Sequence, residues 1–206
     1  MRIGRWVGVG GAVVYGVGFA LVSSVPGGGD VDSSDFQEFY VEDENTALPI
    51  IGLFVLTVGV LALLLFFHEL RTALGTADAG FGWAAAGLGL AVVIAGASLL
   101  TAPSGVQAFS DFEFVGQPVA HGFASAGFAA MLVPGSLFLG LGVGVLAFAG
   151  RRAGVLPPWV GIAGIVAAIL QLVAIVWIPS FAIPLWVLLA GLAGFRGTAP
   201  SRAPSA

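Results

Sequence analysis

The 206 residues are 58% hydrophobic and only 9% charged, whereas an ordinary soluble domain carries about 25% charged residues. Seven basic and eleven acidic residues cannot cover a core of this size with a polar shell, which excludes a conventional soluble domain. The chain has no cysteine and two histidines, which excludes disulfides and thiol catalysis and leaves few metal ligands.

Six apolar runs approach or exceed the length that crosses a hydrocarbon core of about 30 Å. The sixth is the shortest, because fifteen residues at about 1.5 Å each reach only about 22 Å. The sequence therefore predicts an all-α, polytopic membrane helix bundle with a single transmembrane domain over residues 1–196, followed by a disordered tail over 197–206. The predicted spans are residues 3–22, 48–67, 83–102, 119–149, 159–178 and 181–195.

The charges between these runs predict an orientation in the cell membrane. If the runs alternate in direction, all seven arginines fall on one side, which the positive-inside rule makes cytoplasmic. Both termini are then inside, and nine of the eleven acidic residues are outside. The distribution of the arginines and that of the acidic residues thus agree with the same six-helix topology.

An acidic outer loop over residues 23–47 contains seven carboxylates between Asp30 and Glu44 and no basic residue. Such a face repels nucleic acid, so we expect the lipid bilayer, and not nucleic acid, as a partner. Its composition is typical of adaptation to high salt. Carboxylates at near-alternate positions are also suited to calcium, although the order of a calcium-binding helix-loop-helix is missing.

Two runs admit a second interpretation. Residues 3–22 follow two arginines like a signal sequence, but about twenty apolar residues exceed the roughly 7 to 15 of a signal core, which favours a retained helix. Residues 119–149 would form two spans if they were split at Pro134, and the Arg151-Arg152 pair would then lie outside. A single helix kinked at Pro134 is favoured.

The 32 glycines predict how the helices associate. Lipid tails are as apolar as leucine, so association in a bilayer depends on close approach between small residues. Pairs one helical turn apart predict a compact bundle and leave contacts with a second copy or another membrane protein open. These pairs are Gly4 and Gly8, Ala12 and Gly16, Gly87 and Ala91, and Gly140 and Gly144.

A few polar side chains within the runs form the candidate site. Tyr15, His121 and Gln171 lie about 5 to 15 Å below the predicted outer surface when residues are placed in steps of about 1.5 Å along each helix. An ionisable group inside a span is a functional hypothesis, and the alternative is a histidine that contacts a neighbour or the interface near a helix start. The pattern predicts an outward-facing polar pocket formed by Tyr15, His121 and Gln171 with Ser98 and Ser125.

A second polar group, His68, Glu69 and Arg71, follows the second run at the cytoplasmic edge. A histidine beside a carboxylate can bind a proton or a metal, but such a group is more typical of a solvated helix end that anchors the span. His68 lies at the inner edge and His121 in the outer third, so they cannot flank one haem iron in one subunit. We expect no metal and no other cofactor, because no three ligands converge.

Prolines and tryptophans mark the last two runs. Leu156-Pro157-Pro158-Trp159 opens the fifth with prolines where the first turn has spare N–H groups, and Ile178-Pro179-Ser180 predicts a tight turn between two antiparallel helices. Together with the Arg151-Arg152 pair, Val160-Gly161, Gly164, Pro184-Leu185-Trp186 and Gly191, this final third of the chain resembles an uncharacterised family of prokaryotic six-helix membrane proteins that carry a domain of unknown function. The resemblance implies the helix order but no substrate or catalytic residue.

Three functional interpretations follow in order of preference. The first is a non-enzymatic integral membrane protein with a structural, accessory or sensing role. The second is a transporter or channel subunit with the outward-facing pocket, although no carboxylate lies within a run to couple ion movement. The third is a membrane enzyme, which would require Asp111 or Glu113 to approach His121.

Overall fold

The computed structural model describes residues 2–25, 39, 43–109, 117–176 and 178–195, and within them every regular element is helical. A π turn, Met131–Gly135, joins the fourth helix to the fifth, and two 3-10 turns, Gln171–Val176 and Ile178–Phe181, lead from the sixth to the seventh. Most of the acidic outer loop, Asp111, Glu113 and the tail lie outside the described residues. The helices are α1 Arg2–Val22, α2 Asp43–Leu74, α3 Ala77–Phe109, α4 Gln117–Ala130, α5 Ser136–Arg152, α6 Pro158–Leu170 and α7 Ala182–Ala193.

Within the described residues, three helical segments are long and apolar enough to cross a bilayer: Ala47–Leu74, Ala77–Val106 and Val119–Arg152. The remaining apolar helices, Trp6–Val22, Pro158–Ala174 and Ile178–Ala193, are shorter. Large apolar side chains are exposed along the outside of the helices, with Phe54 70% and Ile178 73% exposed as examples. This all-helical chain is therefore compatible with a membrane protein.

Neighbouring helices in the bundle are antiparallel. On α1, Gly8 meets the Phe66 ring and Gly18 meets the backbone of Leu56, so α1 and α2 run in opposite directions. Four other pairs of helices are also antiparallel: α2 and α3, α3 and α4, α3 and α5, and α5 and α6. The α6–α7 hairpin predicted from the sequence is present, and α7 closes the arrangement against α1, where the rings of Phe19 and Phe181 are 5.5 Å apart.

One end of the bundle carries Arg71, Arg151 and Arg152 and is called the arginine end. The C-terminus of α2, the N-terminus of α3 and the C-terminus of α5 meet there, since Arg71 lies over Trp83 and Gly82 lies against Leu146. The start of α6 and the end of α7 lie at the same end, because Gly161 contacts Arg151 and the Phe195 ring lies 5.5 Å from Phe66.

Glycines allow the helix backbones to touch. A Cβ added at Gly59 would lie 2.5 Å from the Tyr15 Cα, and one added at Gly127 would lie 2.6 Å from the Gly96 carbonyl oxygen. Among the pairs predicted from one-turn spacing, Gly8, Gly140 and Gly144 lie at contacts, but Gly16 faces open space. The contacting glycines instead recur every seven residues, the spacing of helices that cross at a shallow angle: Gly11 and Gly18, Gly52 and Gly59, Gly82, Gly89 and Gly96, and Gly135 and Gly142.

The fourth predicted run is one continuous helical segment with its irregularity at Pro134, as the sequence predicted. Pro134 lies inside the π turn, where the Ser136 N–H donates to the Met131 carbonyl oxygen five residues back. Proline has no N–H to donate, and the wider turn accommodates it within a helix. The Ser136 hydroxyl also donates to the Met131 oxygen over 3.2 Å. The π turn is therefore stabilised by a local polar contact.

The structure differs from the prediction at the end of the fifth run and at the start of the sixth. Pro158 stands in the first turn of α6, as predicted, but α-helical geometry stops at Leu170 and not at residue 178. A 3-10 turn follows, in which Val173 has the non-helical angles φ −114° and ψ 20°. The seventh helix begins at Ala182 and ends before Gly194, whose φ of 73° favours glycine.

Candidate functional site

The five side chains of the predicted pocket lie in different surroundings. Tyr15 and Gln171 are buried, Ser125 is half-buried, and Ser98 and His121 are exposed. Two grooves run along the surface of the bundle, one beside α5 and one between α1 and the α6–α7 hairpin, and of these five residues only Gln171 lines either one. The five-residue pocket therefore stays a prediction, and Gln171 is its one member that lies in a defined groove.

Gln171 directly follows α6 and contacts both α5 and the turn that leads into α7. Its side-chain Nε2 donates a hydrogen bond to the Pro179 carbonyl oxygen over 2.8 Å, across the turn that leads into α7. Its Cβ lies so near α5 that a Cβ added at Gly140 would be 2.8 Å away. The Ser180 hydroxyl reinforces the turn by donating to the Ala174 oxygen at 3.4 Å. The amide is thus used to stabilise an irregular turn.

Several hydroxyl groups within the helices bond to their own backbone. Thr57 donates to Leu53, Ser98 to Ile94 and Thr101 to Ala97, each four residues back and over 2.8 to 2.9 Å. Such bonds satisfy a hydroxyl that would otherwise lose its partners in an apolar environment. These hydroxyls therefore contribute little to a polar site.

The His68 group at the end of α2 packs on Trp83 of α3. The Arg71 guanidinium carbon lies 5.1 Å from the Trp83 ring centroid, and the His68 ring lies 6.1 Å from it. A guanidinium over an indole face is an attractive cation–π pair. The geometry supports the anchoring interpretation of this group. Trp83 itself was missed in the sequence, where only its apolar run was evident. Among the described residues there is no group of three or more potential metal ligands.

The larger groove, of about 980 Å³, runs along α5 between α3 and α6 and is called the α5 groove. Its floor contains Gly140 and Gly144, and large apolar side chains such as Leu141, Phe148 and Ile169 form its walls. Asp78 lines it at the arginine end, and Gln171 lines it at the other. The Gly140 and Gly144 pair was interpreted in the sequence as a helix contact, and both glycines do contact α6; the groove above them was not predicted.

A second groove, of about 550 Å³, lies between α1 and the α6–α7 hairpin. Ala12 and Val13 of α1 line one side, and Leu170, Pro179 and Leu185 line the other. Its lining is apolar apart from backbone, so it offers no polar group for recognition.

Residues that carry the family resemblance meet in one joint at the arginine end. The Trp186 Nε1 donates a hydrogen bond to the Val160 carbonyl oxygen over 3.0 Å. A Cβ added at Gly164 would lie 2.5 Å from that nitrogen, and one added at Gly161 would lie 2.6 Å from the Arg151 Cβ. The spaced glycines and tryptophan therefore hold α5, α6 and α7 together.

The chain matches no family model, no curated protein and no solved structure. The resemblance to a six-helix family therefore stays a prediction.

Proposed function

We propose that the chain is a multi-pass protein of the cell membrane, with six spans and both termini in the cytoplasm, that acts as a non-enzymatic structural or accessory component. The observation that carries the proposal is the way the helices meet. Glycine backbones touch along α1–α2 and α3–α5, and the hydroxyls of half-buried Thr57 and buried Thr101 bond to their own helices. Such an interior suits a rigid membrane element better than a solute pathway.

The six-span topology is supported by the antiparallel arrangement of neighbouring helices. Arg71 in the last turn of α2 and Arg151 and Arg152 in the last turn of α5 lie at one end of the bundle, and the start of α1 and the end of α7 lie there too. Placing this end in the cytoplasm satisfies the positive-inside rule. The acidic outer loop then faces the exterior.

Single-cysteine labelling tests this topology, since the natural chain contains no cysteine. The exposed positions Ser24, Thr76 and Ala153 follow α1, α2 and α5. With a membrane-impermeant maleimide on intact cells, we expect labelling of Ser24→Cys alone, and labelling of Thr76→Cys and Ala153→Cys only after permeabilisation. Labelling of Thr76→Cys in intact cells would contradict the orientation. Opposite behaviour of Thr76→Cys and Ala153→Cys would contradict the alternation of spans.

A transporter or channel subunit is the second candidate, and one observation favours it. Gln171 lines the α5 groove where α6 loses α-helical geometry, and broken helices with polar groups are common at transport sites. Against this candidate, the Gln171 amide is bonded to Pro179, and neither Tyr15 nor His121 lines that groove.

Two measurements separate these candidates. For an accessory protein, vesicles containing the purified chain should leak ions and small solutes no faster than empty vesicles. A photocrosslinker at the lipid-exposed position Phe54 should capture another membrane protein in a fixed ratio from native membranes, whereas the same crosslinker at Ser24 should not. Solute flux that is lost in Gln171→Leu but kept in Ser98→Ala would instead identify a transporter.

A further inference from the structure

The α5 groove has the form of a lipid site. We infer that it holds an acyl chain of an anionic phospholipid, with the headgroup phosphate against Arg151 and Arg152. This inference rests on the membrane embedding proposed above.

The floor of the groove is recessed but already in contact with α6. A Cβ at Gly140 would lie 3.1 Å from the Ala168 carbonyl oxygen, and one at Gly144 would lie 3.1 Å from the Ala168 Cβ. A further transmembrane helix would need small residues at which its backbone could approach closely. Gly140 and Gly144 already contact α6, so they are not free to receive another helix. The walls are large side chains, with Leu141 48% exposed and Ile169 59% exposed. A thin, flexible hydrocarbon chain fits between such walls.

The groove has the length of one bilayer leaflet or slightly more. Its lining runs from Pro134 in the π turn to Ala149 of α5, which corresponds to about 22 Å of helix, and one leaflet of the hydrocarbon core is about 15 Å thick. Its volume of about 980 Å³ is at the upper end of pockets that hold small molecules, about 300 to 1,000 Å³. An acyl chain entering at the arginine end would therefore be covered along its length.

The mouth of the groove at the arginine end is positively charged. The residues of α5 that line the groove end at Ala149, and Arg151 and Arg152 lie just beyond them. They follow Phe148 by three and four residues, so they continue the face of α5 that lines the groove, and both are exposed. Asp78 also lines this end, but it stands in the first turn of α3, where the helix dipole favours its charge. Two guanidinium groups against one carboxylate leave a net positive mouth. Guanidinium groups bind phosphate with paired hydrogen bonds, and basic sites between helices bind anionic headgroups.

Native mass spectrometry of the purified full chain, titrated with phosphatidylglycerol or phosphatidylcholine in detergent, tests the inference. We expect tighter binding of phosphatidylglycerol. Arg151→Gln/Arg152→Gln should weaken it about thirtyfold, since each arginine near an anionic lipid strengthens binding about fivefold. The control Arg151→Lys/Arg152→Lys keeps both positive charges at the same positions and should retain more of the affinity for phosphatidylglycerol than the glutamine variant. Leu141→Trp should fill the groove and weaken both lipids, whereas Leu65→Trp on the exposed face of α2 should weaken neither. Ile169→Trp, on the opposite wall, serves the same purpose if Leu141→Trp unfolds.

Four outcomes would overturn the inference. Equal affinities for the two lipids, or an unchanged affinity in Arg151→Gln/Arg152→Gln, would exclude the headgroup site. Unchanged binding in a folded groove-filling variant would exclude the acyl site. A dimer that Leu141→Trp dissociates would make the groove an interface between copies. Sidedness does not enter this assay, so a failure of the proposed topology in cysteine labelling and a failure of lipid binding are distinguishable.

Discussion

The indole nitrogen of Trp186 donates a hydrogen bond to the Val160 carbonyl oxygen across 3.0 Å, and both residues are buried. This bond connects α7 to the first turn of α6. The Trp186 ring also lies 6.3 Å from the Phe66 ring and 6.5 Å from the Phe67 ring, so the same side chain reaches α2. Three helices are therefore held at the arginine end by one residue.

Trp186→Phe tests the hydrogen bond at this joint. The substitution keeps an aromatic ring but removes the N–H donor, so we expect a loss of about 1 kcal/mol in the free energy of unfolding. Thermal unfolding in detergent should give a lower Tm than for the natural chain. The control is Trp159→Phe, because Trp159 is 54% exposed at the start of α6. Equal Tm values for the two variants would contradict the structural role of the bond.

Gly164→Leu tests the space that Trp186 needs. A side chain at position 164 would meet the Trp186 indole and the Ala147 Cβ, each within 2.5 Å of the new Cβ. Such overpacking typically costs about 1 to 3 kcal/mol, and the separation of α6 from α7 adds to it. The matched control is Gly10→Leu, because nothing lies within 4 Å of a Cβ at Gly10. We expect aggregation or a markedly lower Tm for Gly164→Leu alone, measured by size-exclusion chromatography and thermal unfolding.

Gln171→Leu tests the amide that stabilises the α6–α7 turn. Leucine has a similar volume but leaves the Pro179 carbonyl oxygen without its donor, so we expect a loss of about 1 to 2 kcal/mol. Ser98→Ala is the control, because the Ser98 hydroxyl is exposed and bonds only to its own helix among the described contacts. Titration with a denaturing detergent should shift the unfolding midpoint of Gln171→Leu and leave that of Ser98→Ala unchanged. Similar midpoints for both variants would show that the turn does not depend on this amide.

Retention of α1 is a further prediction. The helix packs backbone to backbone against α2 at Gly18 and Gly59 and contacts α7 through the Phe19 ring. Its removal would expose this glycine-lined surface of α2. We expect the intact mass of the protein purified from membranes to include residues 3–22. A mature chain that begins after Val22 would refute the prediction, and Gly59→Leu should make α1 more accessible to protease than the control Gly16→Leu.

Hydropathy predicted where the helices lie, because each long apolar run of the sequence forms helix within the described residues. It predicted their ends less well. Helix α2 begins at Asp43, before its apolar run, and α3 continues to Phe109, because backbone hydrogen bonding does not require apolar side chains. In α6 the helix stops at Leu170 although the apolar run continues, and hydropathy contains no information about that change in backbone geometry.

The contacts within the bundle were less predictable than the helices. One-turn pairs of small residues are common at this glycine content, and the seven-residue spacing of Gly52 and Gly59, or of Gly82 and Gly89, was the more informative signal. The bonds of Gln171 to Pro179 and of Trp186 to Val160 join residues whose proximity depends on the hairpin geometry. Residue type alone indicated that these groups need partners but not which partners they have.

The π turn at Pro134 determines which face of α5 is directed towards α3. Eight residues, and not seven, separate Gly127 from Gly135, and seven separate Gly135 from Gly142, yet all three face α3. The extra residue falls inside the wide turn. Since each residue of an α-helix turns the chain by about 100°, deleting one residue there would direct Gly142 away from α3 and carry the Arg151-Arg152 pair to a different side of the bundle.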